Sequence, residues 1–271
     1  MINNEIIFFF IYCIIGWICE EIYCSFLEKK VVNRGFLNGP YLPIYGFGAI
    51  IVLYLLKPFI DNIIILFFAA VVVTSIIEYG GSFILETIFH IKLWDYSSKF
   101  MNINGRVCLL NSLLFGILSV VIIYLIHPFV SFFVYSLSDI IQYYFTLCIV
   151  IGMSFDLALS IAKMNSFNAA LDEFKDRSEE IKERLKVIGA NESSEFINSI
   201  KERWNEEGEF RKARLVRRHK RLLLAFPSMK SDSNFIDSQF DKIKDDFSAW
   251  LLKGKNQYRE LKAKRKNASN K

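Results

Sequence analysis

The sequence has few of the residues that usually build catalytic and metal sites. Its three histidines are far apart and have no His or Cys neighbour at helical spacing, so no metal site is predicted. Its five cysteines form no C-x-x-C pair and lie in or beside apolar runs. We therefore interpret them as small buried side chains in the reduced state, and not as a disulfide framework.

Nucleotide-binding and hydrolase motifs are absent as well. The sequence has no G-x-x-x-x-G-K-[ST] P-loop, no G-x-S-x-G, no H-E-x-x-H and no G-x-G-x-x-G in a suitable context. It therefore predicts no cofactor and no ATPase within this chain, and it leaves enzymatic activity an open question. If the protein transports a substrate actively, the energy must come from a partner chain or from an ion gradient.

Long apolar runs dominate the first part of the chain. Residues 1–163 hold 8 Lys/Arg and 10 Asp/Glu, whereas residues 164–271 hold 25 and 18. Crossing a bilayer takes about 20 apolar residues, and five runs approach that length. The predicted fold is all-α: a polytopic membrane protein with about five transmembrane helices (residues 1–163) and a charged, helical cytoplasmic tail (residues 164–271). The predicted spans are 5–27, 43–60, 62–89, 107–127 and 139–163.

Positive charge predicts the orientation of these spans. The loops after the first and third spans carry three Lys/Arg each, whereas the opposite side offers only Lys57. Lysine and arginine favour the cytoplasmic side, which puts the N-terminus outside and the basic tail in the cytoplasm of a plasma-membrane protein. The first ten residues have no basic n-region and no cleavage site, so the first span is predicted to stay uncleaved.

A turn-rich stretch at residues 34–48 interrupts the apolar pattern. It packs four Gly and two Pro between apolar runs, together with Arg34, Asn38 and Tyr45. Two interpretations stay open. The stretch could be an ordinary turn before a helix, with Pro at its start, or a re-entrant loop whose backbone amides line a polar cavity.

Acidic residues inside the spans are the second unusual feature. Glu20 and Glu21 lie near the end of the first span, and Glu78 and Glu86 lie about two helical turns apart in the third. Intramembrane carboxylates are costly and usually functional. The alternatives are that the first pair marks the water edge and that the second pair forms ion pairs with Arg34 or Arg106. Asp156 in the fifth span is a candidate of second rank.

The loop after the third span is rich in hydrogen-bonding groups. An Asp95–Arg106 ion pair is one explanation; the other is that Arg34 and Arg106 bind an anionic group such as a phosphate or carboxylate. We predict that the polar residues of the first hundred or so positions form one pocket at the cytoplasmic interface. Its candidate residues are Glu20, Arg34, Asn38, Tyr45, Glu78, Glu86, Trp94, Asp95, Tyr96, Asn104, Arg106 and Asn111.

The tail combines an amphipathic pattern with a basic stretch. Apolar residues from Phe167 to Ile188 alternate at spacings of 4 and 3, which is typical of a short coiled-coil seam. Self-association and packing within the tail both fit this pattern. The basic stretch is predicted to lie on anionic lipid; a solvated face is the second alternative, and nucleic acid ranks last because no aromatic residues interleave with it. The predicted lipid contacts are Arg211, Lys212, Arg214, Arg217, Arg218, Lys220 and Arg221.

Several ordered motifs resemble one family of bacterial membrane proteins. They are GWICEEIY, NRGFLNGPYLPIYGFG, Glu78-Tyr79, Glu86, WDYS and NGRVCLLNSLLFG, spread over about residues 8–130. They resemble the CmpB-type family described as "Putative ABC-transporter type IV". The resemblance implies a permease that works with a separate ATPase subunit, and it implies no catalytic or transport residue.

Three functions follow as hypotheses. The first is a permease-like component whose pocket binds an anionic small molecule or a lipid headgroup. The second is an intramembrane enzyme that modifies lipid headgroups, with a glutamate as general base. The third is a membrane-anchored scaffold whose tail recruits a partner. Membrane lipids are predicted partners in each case, and a homo-oligomer stays open because five spans are few for a permease.

Overall fold

The structure is a computed structural model that describes residues 2–28, 35–188, 217–226 and 229–231. Within this part of the chain the fold is helical, as predicted. The α-helices are α1 (Ile2–Glu28), α2 (Pro43–Leu55), α3 (Ile63–Phe89), α4 (Leu109–Val121), α5 (His127–Ser136), α6 (Asp139–Ile188) and α7 (Lys220–Ala225). A 3-10 turn covers Lys57–Phe59, a π-helical turn covers Ile122–Ile126, and two-residue strands, β1 and β2, cover Ile91–Lys92 and Lys230–Ser231.

Four helical segments in the described residues are long and apolar enough to cross a membrane. They are Ile2–Ser25, Ile63–Phe89, Leu109–Ser136 and Asp139–Glu173. The second predicted span differs, because α2 has only 13 residues. A helix of that length rises about 20 Å, whereas a hydrocarbon core is about 30 Å thick. Alone, α2 is therefore too short to be the second predicted span.

Local signals explain where the helices begin and end. Pro43 occupies the first turn of α2, where its missing N–H costs nothing. Asn62 caps α3, since its side chain accepts hydrogen bonds from the backbone N–H groups of Ile64 and Ile65, both at 3.1 Å. His90 ends α3 in the left-handed conformation, with φ 53°.

Two features that often interrupt helices do not end one here. Gly80-Gly81 lies inside α3, which runs through both glycines without a gap. Pro128 follows the predicted end of the fourth span at His127, but the helix continues as α5 to Ser136. The π-helical turn immediately before His127 changes the hydrogen-bond register, which accommodates a proline that lacks an N–H.

Small residues bring the helices of the first part close together. A Cβ on Gly46 of α2 would lie 2.5 Å from Cys13 Sγ of α1, and one on Gly116 of α4 would lie 2.5 Å from Val71 Cγ2 of α3. Close backbone approach at small residues is the usual way in which helices pack in a membrane. The core between α1, α2 and the later helices contains Ile7, Phe8, Tyr12, Ala49, Ile122, Val134 and Ile149.

The chain divides into two compact units. The first comprises Met1–Ala162 and Leu224–Met229, and the second Lys163–Leu223 and Lys230–Lys271. In the second unit Phe167 and Leu171 of the predicted seam are buried. The rings of Phe167 and His219 lie 5.0 Å apart between centroids. The assignment of residues 1–163 to the membrane and of residues 164–271 to the cytoplasm stays a prediction.

Much of the predicted tail lies outside the described residues. Of the predicted lipid contacts, Arg211, Lys212 and Arg214 belong to that part. The others lie at or beside α7, where Arg217, Arg218 and Lys220 are exposed and Arg221 is half-buried. Their contact with lipid stays a prediction.

Candidate functional site

The turn-rich stretch before α2 reaches half-way down the first helix. The backbone N–H of Leu42 donates to the carbonyl of Cys13 at 2.9 Å. Cys13 lies about 16 Å along α1 from Ile2, and a similar length of helix follows it. The Tyr54 hydroxyl, near the other end of α2, donates to Glu5 at 2.5 Å. Leu42 thus lies beside the middle of α1, and α2 runs from there back toward the start of α1.

We interpret residues 35–42 as a re-entrant loop, which is hydrogen-bonded to Asp156 of α6. Its Oδ1 accepts hydrogen bonds from Asn38 N at 3.0 Å and Asn38 Nδ2 at 2.5 Å. Its Oδ2 accepts from Gly39 N at 2.8 Å and from the Tyr41 hydroxyl at 2.6 Å. Ser160, one helical turn further along α6, accepts a second bond from Asn38 Nδ2 at 3.0 Å. Both residues of α6 are buried.

We call these hydrogen bonds of Asp156 and Ser160 to Asn38, Gly39 and Tyr41 the Asp156 clamp. Its physical reason is the cost of leaving backbone N–H groups unpaired in a membrane. Non-helical N–H groups at membrane depth must find a protein acceptor, because lipid offers none. Asp156 supplies acceptors to two consecutive N–H groups and thereby stabilises the loop before α2. We call this loop together with α2 the broken span. From the sequence, Asp156 was a candidate of second rank and was not included in the predicted pocket. In the structure it is the main partner of Asn38.

A second polar group (Glu20, Tyr45, Glu78, Tyr96 and Asn111) lies among α1, α2, α3 and α4. The Tyr45 hydroxyl donates to Glu20 Oε2 at 2.6 Å, and the Cys24 thiol donates to Glu20 Oε1 at 3.4 Å. Glu78 is only 6% exposed and lies within hydrogen-bonding range of the Tyr96 and Asn111 side chains. We call these five residues the Glu78 group.

One oxygen of the Glu78 group is unsatisfied. Glu78 Oε2 is buried and has no hydrogen-bond partner in the described part of the chain. The Glu20 carboxylate is near enough to act on Glu78 electrostatically. Buried polar atoms without a partner are rare in folded proteins, so this oxygen requires an explanation.

Tyr96 joins this group from the loop after α3. Burial raises the pKa of the Tyr96 phenol, and the charges of Glu78 and Glu20 raise it further. The phenol therefore stays protonated at neutral pH and acts as a hydrogen-bond donor toward Glu78.

The loop of residues 90–108 is tightly folded. Lys92 Nζ contacts Asp95 Oδ1 at 3.0 Å and donates to the carbonyl of Asn104 at 2.8 Å. Ser97 Oγ also donates to Asp95 Oδ1, at 2.6 Å. Gly105 has φ 65°, and a Cβ there would overlap Asp95 and Ser97. Both features favour a glycine at this turn.

Arg106 points from this loop onto α3. Its Nη2 donates to Glu86 Oε2 at 2.7 Å, and its guanidinium lies 5.2 Å from the centroid of the Tyr79 ring. The indole N–H of Trp94 donates to the Arg106 carbonyl at 3.1 Å, and Asn104 Nδ2 donates to the Tyr79 hydroxyl at 3.0 Å. The guanidinium is thus paired with Glu86, and Asp95 pairs with Lys92 instead of with Arg106.

The predicted pocket residues therefore fall into three groups. Asn38 belongs to the Asp156 clamp. Glu20, Tyr45, Glu78, Tyr96 and Asn111 form the Glu78 group, and Glu86, Trp94, Asp95, Asn104 and Arg106 belong to the folded loop and its contact with α3. Arg34 lies outside the described residues.

Sequence reasoning missed two contributors, Ser160 and Tyr79, and gave a third, Asp156, only second rank. Asp156 carried a usable signal, since it is an acid in an otherwise apolar span. No local pattern points to Ser160 or Tyr79, because their partners are more than 20 residues away in sequence. Within the described residues no group of three His, Cys, Asp or Glu side chains could hold a metal ion.

The chain matches one known protein family. Residues 7–161, more than half of the chain, match the family described as "Putative ABC-transporter type IV". No curated protein and no solved structure matches significantly. The matched region extends beyond the motifs noted in the sequence and reaches the α6 segment with Asp156 and Ser160. This chain belongs to the "Putative ABC-transporter type IV" family of membrane proteins.

Proposed function

We propose that this protein is the membrane-embedded subunit of a transporter, in which the Glu78 group contacts the substrate and a separate chain supplies the ATPase. The family match supports a transporter component. The absence of a P-loop from the sequence supports a separate ATPase subunit.

The observation that carries this proposal is the broken span. The non-helical residues 35–42 precede a 13-residue helix and bond to the buried Asp156, which supports non-helical backbone within the membrane. Broken spans of this kind are tolerated in membranes where they are buried in protein or line a cavity, and transporters use them to build substrate sites near the bilayer midplane. An inert anchor gains nothing from such an arrangement.

The geometry favours an acceptor-lined site over an anion site. The anionic-ligand hypothesis depends on Arg34 and Arg106, and Arg106 already pairs with Glu86 at 2.7 Å. The Glu78 group contributes carboxylate, phenol and amide side chains. A ligand with hydrogen-bond donors therefore fits this site better than a phosphate or a carboxylate does.

The test is purification of the tagged protein from its native membranes after mild cross-linking, followed by mass spectrometry. We expect an ATPase subunit with a P-loop to co-purify. ATP hydrolysis by the reconstituted complex should fall in Asp156→Asn, where the loop clamp is weakened, and stay unchanged in the exposed-residue control Asp139→Asn.

Two results would contradict the proposal. One is that no ATPase subunit co-purifies under any cross-linking condition. The other is that a partner is recruited equally by wild type and Glu78→Gln but lost when residues 189–271 are removed, which would favour the scaffold hypothesis instead.

A further inference from the structure

We propose that the Glu78 group binds a primary ammonium group, with Glu78 Oε2 as its main acceptor. The inference names a ligand class for the site of the proposed function, and its biological use rests on that function. Binding itself is tested without the ATPase subunit, so the two proposals can fail separately.

The first argument is the unsatisfied acceptor. Glu78 is 6% exposed, and its Oε2 has no hydrogen-bond partner among the residues that the structure describes. Leaving a buried carboxylate oxygen unpaired is costly. By contrast, both oxygens of Glu20 accept hydrogen bonds, from Tyr45 and from Cys24. Glu78 Oε2 is thus the one carboxylate oxygen of the group that lacks a hydrogen bond among the described residues.

The second argument is charge. The charge of Glu20 opposes a negative charge on Glu78, so a cation bound between them would stabilise the ionised form of Glu78. Two cations of the neighbouring loop are already engaged, since Arg106 pairs with Glu86 and Lys92 pairs with Asp95, and the third, Lys99, is exposed. Within the described chain, no ion pair reaches Glu20 or Glu78.

The third argument is the aromatic wall. The Tyr45 ring packs edge-on against Phe115 with centroids 5.7 Å apart, and Tyr96 approaches Glu78 from the loop. Aromatic faces favour ammonium groups in dry sites. A primary ammonium also offers three N–H donors, one for Glu78 Oε2 and others for the phenol and amide oxygens.

An ammonium of this kind has two sources in a membrane. It could belong to the headgroup of an ethanolamine lipid or to a soluble amine. Both present the same donors to Glu78, so the experiment includes a lipid arm that separates them.

The experiment measures thermal unfolding of the full-length protein in phosphatidylcholine nanodiscs while n-butylammonium chloride is titrated. We expect the midpoint to rise with n-butylammonium, but not with tetramethylammonium or potassium chloride at equal ionic strength. Glu78→Gln should weaken the apparent affinity about tenfold or more, because a charge-assisted hydrogen bond is lost. The exposed acid control Asp61→Asn should behave like wild type.

A second set of discs contains phosphatidylethanolamine. A reduced response to n-butylammonium in these discs identifies the lipid headgroup as occupant, and an unchanged response identifies a soluble amine. Either result supports the ammonium site.

Three outcomes overturn the inference. The first is an equal shift with potassium or tetramethylammonium, and the second is full retention of the response in Glu78→Gln. The third is that Arg34→Gln responds to n-butylammonium whereas the wild type does not. Arg34 would then occupy the site in the wild type. If Glu78→Gln does not fold, Glu20→Gln together with the selectivity of the wild type for n-butylammonium over tetramethylammonium decides the matter.

Discussion

At the scale of single residues, Asp156 shows how one side chain stabilises an irregular piece of chain. Its two oxygens receive four hydrogen bonds from Asn38, Gly39 and Tyr41. The loop has no alternative acceptors in lipid. The re-entrant conformation should therefore depend on this carboxylate more than on any apolar contact that it makes.

Asp156→Asn should destabilise the protein by about 2–3 kcal/mol, because the substitution removes the charge and one of the two acceptor atoms of a buried, multiply bonded group. The measurement is the thermal unfolding midpoint in nanodiscs, with Asp139→Asn as the control at the exposed start of the same helix. Equal midpoints for wild type and Asp156→Asn would contradict the clamp.

The residue scale is also where the sequence was least informative. It singled out Asn38, Tyr45 and Glu78 by their polarity in apolar surroundings. It could not assign partners, because Asn38 and Asp156 are 118 residues apart and no local periodicity relates them. The Asp95–Arg106 alternative failed for the same reason: closeness in sequence suggested a pair, whereas folding of the loop turned each residue toward a different partner.

At the scale of elements, patterns predicted the helices well where they are long and apolar. The Pro and Asn signals at the starts of α2 and α3 are visible in the sequence. The α-π-α continuity through Pro128 was not predictable, since the propensity of one proline does not reveal that the preceding turn can widen. Gly80-Gly81 likewise does not interrupt α3, because packing in a membrane tolerates glycine inside a helix.

Gly105→Ala tests the loop that delivers Tyr96 to Glu78. A φ of 65° disfavours any residue with a Cβ, and a Cβ here would overlap Asp95 and Ser97, so we expect a loss of about 1–3 kcal/mol in local stability. Hydrogen exchange across residues 90–108 should become faster.

Gly80→Ala is the matched control for this prediction. A Cβ at position 80 meets no atom within 4 Å, so this change should leave exchange in the loop unaltered and stabilise α3 by about 0.5–1 kcal/mol. Unchanged loop exchange in Gly105→Ala would show that the turn does not organise this element.

In the second unit, His219 should make the tail sensitive to acid. Burial lowers the pKa of His219 to about 4, with a smaller contribution from Arg218, from an ordinary value of 6.5. The unfolded state then binds the proton more tightly, so stability is full above about pH 6.5 and falls as the pH drops toward 4. Limited proteolysis of the tail should be faster at pH 5 than at pH 7.5, and His219→Gln should reduce the difference. Equal acid sensitivity in wild type and variant would rule out His219 as its origin.

At the scale of the whole molecule, contacts within the first unit define which helix ends share a face. Tyr54 reaches Glu5 at 2.5 Å, and Thr146 Oγ1 donates to the Asn3 carbonyl at 3.3 Å. The start of α1, the end of α2 and the start of α6 thus lie together. We interpret the re-entrant loop plus α2 as one crossing, which would make five with the four long helices and would put the N-terminus opposite the loop of residues 90–108. Which of the two faces is cytoplasmic is a prediction from the Lys and Arg distribution alone.

Three single cysteines at exposed positions, introduced into a background without the native cysteines, test both the crossing count and the orientation. A membrane-impermeant maleimide should label Ile2→Cys and Asp61→Cys in intact cells, whereas Ser98→Cys should react only after permeabilisation, because α3 separates it from Asp61. Reversed labelling of all three positions would leave the fold intact and invert the orientation. Labelling of Ile2→Cys and Asp61→Cys from opposite sides would mean that the segment of residues 35–55 does not cross. The Asp156 clamp would then hold a surface turn, and the transporter proposal, which depends on the broken span, would lose its basis.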